Sequence, residues 1–199
     1  SQMRNPIKTG KRVYLRPEEP DDAGPMALMY SRETDDFTDS GGRYPMSPIT
    51  FKHLIERDAT NEQTKNVTLV SCLRENDEVI GYLGFFDIDP IHRTAETFSH
   101  FAPGEWRGRG YGTESKFLLL EYGFDDLHLH IIQSYVWGAN ERSARALAKQ
   151  GYRPAGRLRW DDVRRGVYLD TLLFDIKRDE WIAEKARWDD RVAELERRP

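Results

Sequence analysis

The segment with the clearest chemical potential is Arg107-Gly108-Arg109-Gly110-Tyr111-Gly112-Thr113, which lies between an apolar-polar run and a helical pattern. Glycines here let the backbone take positive φ and bring its N–H groups close to a ligand. The helix that follows begins with unpaired N–H groups and the positive end of a dipole, so the turn is an anion cradle suited to a diphosphate. Three nucleotide-site patterns compete for it. A P-loop needs Gly-Lys-Ser/Thr at its end, and none is present. A G-x-G-x-x-G fingerprint beginning at Gly108 requires glycine where Thr113 stands, and an acid after the next strand, where the chain has Trp137-Gly138. The third pattern, R-x-x-G-x-G over Arg107, Gly110 and Gly112, fits without adjustment.

Other chemistry-bearing residues fall into small groups. Glu96 and His100 stand four apart on a presumed strand, which puts both on one face. Asn140 and Ser143 open a helix, where asparagine is a preferred cap. His128 and His130, two apart, suggest a metal pair but have no third ligand nearby, so an edge-strand or core role is expected and no metal is assigned. The acids Glu33, Asp35 and Asp36 cluster at the end of the first helix, where they either attract a cationic substrate or form a solvated helix end.

The elements that must position these residues are short and mixed. Strands are expected at Val13-Tyr14-Leu15, Val67 to Ser71, Val79 to Phe86, Thr94 to Phe101, Leu129 to Trp137, Ala155 to Trp160 and Tyr168 to Ile176. Helices are expected after Pro20-Asp21-Asp22, through Phe51, Leu54 and Ile55, from the glycine turn through Phe117 and Leu120, and from Asn140 to Gln150 with Gly151 as its stop. The tail from Asp179 to Arg198 carries Trp181, Trp188, Val192 and Leu195 on one helical stripe, which docks on the body or on a partner subunit.

Composition bounds the function. The chain has 199 residues, of which 38% are hydrophobic and 12% aromatic, enough for a packed core. Its net charge of -4 disfavours both nucleic acid and an anionic membrane surface as partners. Cys72 is the only cysteine, so intrachain disulfides and cysteine-based zinc sites are out, and a reducing cytoplasm is the expected compartment. No run approaches the roughly 20 apolar residues of a membrane span, and the polar N-terminal segment does not resemble a signal peptide.

Taken with its surroundings, the R-x-x-G-x-G turn resembles the coenzyme A pyrophosphate loop of the GNAT N-acetyltransferase superfamily. A second motif, Asn140, Ser143, Leu147, Gly151 and Tyr152, is similar to that of its RimJ/RimL branch, as are Arg12 to Pro17, Ile80 to Gly84, Gly166 to Asp170 and Arg178 to Trp181. The resemblance covers roughly residues 11 to 181. It implies one α/β domain over residues 1–199, with a helical tail at 182–199. The implied sheet is twisted, mostly antiparallel, of about seven strands splayed between the fourth and fifth, and flanked by helices.

The resemblance also implies chemistry: a neutral primary amine attacks the thioester of acetyl-CoA directly. The main-chain N–H groups from Arg109 to Thr113, with Arg107 and Gly108 beside them, would take the pyrophosphate. Phe101 and Ala102 would pair with the pantetheine arm by strand addition. Asn140 would touch that arm, and Ser143 would protonate the departing sulfur. Many members place a tyrosine acid where this chain has Leu147; a thiol pKa of about 8.5 makes thiolate a fair leaving group without it. An alkylamine has a pKa near 10.4, so a base or a desolvating pocket must supply its neutral form. Glu96, His100 and an ordered water are the candidates. The amine is a protein N-terminus, a polyamine or an antibiotic-like compound, and a homodimer is one candidate assembly. The rival readings are a catalytically silent CoA-binding sensor and a structural oligomerisation protein.

Overall fold

The computed structural model describes residues 3–33, 45–60, 65–104 and 106–195. Thirteen elements follow in chain order: β1 (Lys8–Thr9), β2 (Val13–Pro17), α1 (Ala23–Arg32), α2 (Pro48–Ala59), β3 (Val67–Leu73), β4 (Val79–Asp89), β5 (Thr94–Phe101), α3 (Tyr111–Glu121), β6 (Ile131–Trp137), α4 (Glu141–Lys149), β7 (Arg153–Arg164), β8 (Val167–Lys177) and α5 (Arg178–Leu195). The strands form one eight-stranded sheet in the order β1-β2-β3-β4-β5-β6-β8-β7. Every pair is antiparallel except β5–β6. The strand beyond the expected seven is β1, a two-residue edge piece too short to carry a pattern.

Both faces of the sheet are covered, which is why β2 and β3 read as continuous apolar runs. Val13, Leu15, Leu69 and Leu73 face the core under α3 and α5; Tyr14, Val70 and Cys72 face α1 and α2, where Met26, Met29, Phe51 and Ile55 close a second cluster. Period-two alternation thus sends each strand's odd and even residues to different cores. α3 is buried nearly all round, through Phe117, Leu118, Leu119 and Leu120. It ends in a π turn over Tyr122–Asp126.

The tail helix docks on the body. Trp181 and Val192 are buried, and the Trp188 ring stacks on Phe117 with centroids 4.8 Å apart. Among the described residues no helix is long and apolar enough to cross a membrane.

The parallel pairing of β5 with β6 lasts only three residues, Thr94↔Ile131, Ala95↔Ile132 and Glu96↔Gln133. Beyond Glu96 the two strands part, while β5 stays paired with β4 up to Phe101. The sheet therefore opens into a wedge where β5 leads to the glycine turn. Close packing of Phe101 on β4 needs Gly81, since a Cβ there would lie 2.4 Å from the Phe101 ring.

Candidate active site

The turn after β5 ends in Gly110, the N-cap of α3, with φ of 86° and no side-chain hydrogen bond capping the helix. Gly108 also has positive φ, at 77°. The first turn of α3 closes when the Glu114 N–H donates to the Gly110 carbonyl at 2.9 Å. The N–H groups ahead of it, at Tyr111, Gly112 and Thr113, have no partner within the helix and point out of its positive end. Glu114 does not oppose an anion there. It is buried and accepts from the Arg12 main chain at 2.8 Å and from Arg12 Nε at 2.9 Å. Arg12 Nη1 also donates to the Arg109 carbonyl at 3.0 Å, and its guanidinium lies 4.4 Å from the Tyr111 ring centre. One arginine from β2 thus braces the whole turn.

Arg107 is directed into the protein. Its Nη2 donates to the Phe101 carbonyl at 3.0 Å and pairs with the Glu33 carboxylate. Glu33 is 3% exposed, so it is not part of a solvated helix end but the buried anchor that ties α1 to the turn. Asp35 and Asp36 lie outside the described residues.

The wedge offers main-chain groups on one side only. In an antiparallel ladder alternate residues direct both N–H and C=O to the same neighbour. The Ala102 N–H donates to the Ile80 carbonyl at 2.9 Å, so the even-numbered residues of this stretch serve β4. Thr97, Ser99 and Phe101 then turn their main-chain groups to the gap. The strand-pairing capacity expected at Phe101 and Ala102 thus falls to Ser99 and Phe101, because Ala102 is already paired.

Within the wedge lies a cavity of about 80 Å³, lined from β5 by Thr97 and Ser99, from α3 by Lys116 and from α4 by Ser143 and Leu147. Asn140 caps α4, its Oδ1 accepting from the Ser143 N–H at 3.1 Å. Gly151 at φ 94° terminates the same helix region. Tyr152 closes the cavity wall, its hydroxyl 3.1 Å from Thr97 Oγ1. Lys116 has no signature in the sequence, since a lysine on a helix is usually solvated; only its place one turn into α3 brings it here.

His100 lies on the other face of β5. Its ring stacks on Tyr82 at 5.1 Å and donates a hydrogen bond to the Met29 main chain, while Nε2 is buried with no partner among the described residues. Burial is the main cause holding its pKa below the ordinary value; Glu33 and the Met29 bond oppose it, and Arg107 and Arg142 reinforce it. Glu96 shares that face but lies about 13 Å back along the strand, beyond Phe98, which stacks on Phe86 at 4.1 Å. Its carboxyl is pushed upward, chiefly by burial and further by Asp87. The fold therefore gathers His100, Arg107 and Glu33 at the turn and leaves Glu96 at the paired end of β5. His128 and His130 are exposed residues of the loop before β6, not strand or core positions. Among the described residues no three His, Cys, Asp or Glu side chains are grouped to hold a metal ion.

This combination of a splayed sheet and an uncapped helix behind a glycine turn agrees with the family comparison. The model of the acetyltransferase (GNAT) domain matches residues 12–153, and the chain belongs to that family. An uncharacterized N-acetyltransferase of Bacillus subtilis (strain 168), YoaA, is 35% identical over 103 residues, 52% of this chain and 58% of that one. The chain thus spans little more than half the length of that relative. Spermidine N(1)-acetyltransferase of Escherichia coli (strain K12) is 27% identical over 139 residues, 70% of this chain and 69% of its own. Among solved structures, a chimera of the Vibrio cholerae spermidine N-acetyltransferase SpeG superposes with a TM-score of 0.74. It is 22% identical and covers 86% of this chain and 99% of the other, a likeness of fold.

Proposed function

We propose that this protein is an acetyl-CoA-dependent N-acetyltransferase acting on a primary amine. The observation that carries the reading is the uncapped first turn of α3, opening behind Gly110 beside the splayed edge of β5. The residues present fit coenzyme A. The N–H groups from Arg109 to Thr113 would hold its diphosphate, with Glu114 neutralised by Arg12. Ser99, and the Phe101 N–H whose carbonyl already accepts from Arg107, would pair with the amides of the pantetheine arm, and Asn140 and Ser143 would border it from α4. Bound there, the thioester supplies an activated acyl group.

The remaining work falls to the chain. His100 is the base that supports this reading best. Burial keeps it neutral near pH 7, and the unpartnered Nε2 is free to accept the ammonium proton of the incoming amine. Arg107 would not bind phosphate through its guanidinium; it would fix the angle at which β5 enters the turn. Leu147 has no proton to give, so sulfur leaves without the tyrosine many relatives use. The amine is a polyamine, a protein N-terminus or an antibiotic-like compound; spermidine acetyltransferases among the similar proteins put polyamines first in order of testing.

The test is release of free thiol from acetyl-CoA in the presence of an amine panel, with product mass as confirmation. Turnover with at least one amine is the expected result. Tight CoA binding with no turnover on any amine would instead establish the catalytically silent sensor.

A further inference from the structure

The cavity between β5, α3 and α4 contains a cation that nothing in the site uses. Lys116 is half-buried and lines the same cavity as Ser143 and Leu147. No carboxylate lines that cavity, and among the described residues no hydrogen bond or ion pair involves the Lys116 ammonium. Of the ionisable groups around it, Tyr152 is held by Thr97 on the far wall, and Arg142 of α4 adds positive charge. β5 and β6 contribute the hydroxyls of Thr97, Ser99 and Ser134, main-chain groups of β5 and apolar atoms, none of them charged. An ammonium kept in such a place without a counter-ion is stabilised best by an anion that forms there.

We propose that Lys116 is the acid that protonates the departing coenzyme A sulfur, replacing the tyrosine absent at Leu147. This deepens the acetyltransferase reading and rests on it. As the amine nitrogen bonds to the acetyl carbon and the carbon–sulfur bond breaks, Lys116 gives one proton to the sulfur, so thiol leaves and the lysine becomes neutral. His100 passes the ammonium proton to solvent and then takes the proton released as the carbon–nitrogen bond forms, and Lys116 is recharged from solvent through the open wedge. Ser143, in the same cavity, relays a proton only if another group replaces it, and Lys116 is the group placed to do so. Burial first, and Arg142 second, bring the Lys116 pKa down to about 8, close to the ordinary thiol value of about 8.5. Proton transfer between the two is then nearly balanced, as general acid catalysis prefers.

The experiment titrates the thiol of protein-bound CoA by its ultraviolet thiolate absorbance in wild type and in Lys116→Met, with CoA affinity measured calorimetrically for both. A charged lysine beside the sulfur lowers the thiol pKa, so the bound thiol should be at least about tenfold more acidic in wild type than in the variant. CoA affinity should agree within about twofold. On an amine substrate, kcat of the variant should fall roughly 100-fold, and the fall of the wild-type rate as pH rises past about 8 should disappear. Lys116→Arg, which keeps the charge but not a transferable proton, should restore the thiol shift without restoring kcat. Equal thiol acidities in wild type and Lys116→Met would overturn the proposal. So would a tenfold loss of CoA affinity with kcat unchanged, which would make Lys116 a phosphate-binding cation. Failure of the wild type to bind CoA at all would instead overturn the acetyltransferase reading, a separate and recognisable outcome.

Discussion

The two faces of strand β5 use the same physical lever to opposite ends. On the α1–α2 face, burial holds His100 below its ordinary pKa, so it is neutral near pH 7 and could accept a proton there. On the α3–α4 face, burial lowers Lys116 as well, but from so high a starting point that at about 8 it is still mostly charged near pH 7. One desolvated environment would thus make a base of one residue and an acid of the other, because their intrinsic values lie on either side of neutrality. A single strand separates them, and beyond Glu96 that strand has no β6 partner.

The comparison is broken most severely on the His100 side. His100→Ala should reduce kcat/KM by about 10²- to 10⁴-fold, measured at saturating acetyl-CoA, and the acidic limb of the rate profile should vanish with it. The sign of the stability effect is also determined. The folded pKa lies below the unfolded one, so between the two values the unfolded chain binds more protons. His100 therefore costs stability as pH falls through about 6.5 toward its folded value. Denaturant titrations across that window should show wild type losing stability that His100→Ala retains.

The next effect concerns the brace shared by the two faces. Arg107→Ala leaves the buried Glu33 carboxylate without this partner. Since Arg107 itself is partly exposed, the loss should be about 2 kcal/mol, below the range for fully enclosed pairs. With Arg107 serving as a brace rather than a phosphate ligand, as proposed above, Arg107→Ala combined with Glu33→Gln should recover part of the stability. No recovery in the double variant, with CoA affinity still falling, would mean that Arg107 contacts the ligand directly. The smallest effect is at the α4 cap, where Asn140→Ala removes the bond to the Ser143 N–H. A loss of about 1 kcal/mol in thermal or chemical unfolding is expected, with CoA affinity reporting any further contact of the side chain with ligand.

The sequence displayed some of this plainly and the rest not at all, for physical reasons. β5 is readable from Thr94 to Phe101 as a run reached through Asp89-Pro90 and ended by the glycine-rich turn, and the turn is readable because glycines and an uncapped helix start leave a mark. α5 declared itself through Trp181, Trp188 and Val192 on one stripe, although only the structure shows it stacked on Phe117. β7 was expected over Ala155 to Trp160, yet it runs Arg153–Arg164. Arg153, Arg157, Arg159 and Asp161 are exposed on a strand that shifts register beyond Leu158, so no alternation appears. In the site, the Arg107–Glu33 pair joins residues far apart in the chain, and spacing carries no information about it. Glu96 and His100 looked equivalent by periodicity; the stacking of Phe98 on Phe86 between them and the parting of β6 make them different. Lys116 was invisible because a helical lysine is ordinarily solvated, and what sets it apart is the wall of β5 opposite.

The most direct measurement is a thermal shift of the whole chain with acetyl-CoA, CoA and NADH side by side. Ligand at a hundredfold its dissociation constant should stabilise the folded state by about 2.7 kcal/mol. A clear shift with both CoA species and none with NADH is the expected result. No shift with either CoA species at millimolar concentration would contradict the account, leaving the turn behind Gly110 as no more than the start of a helix.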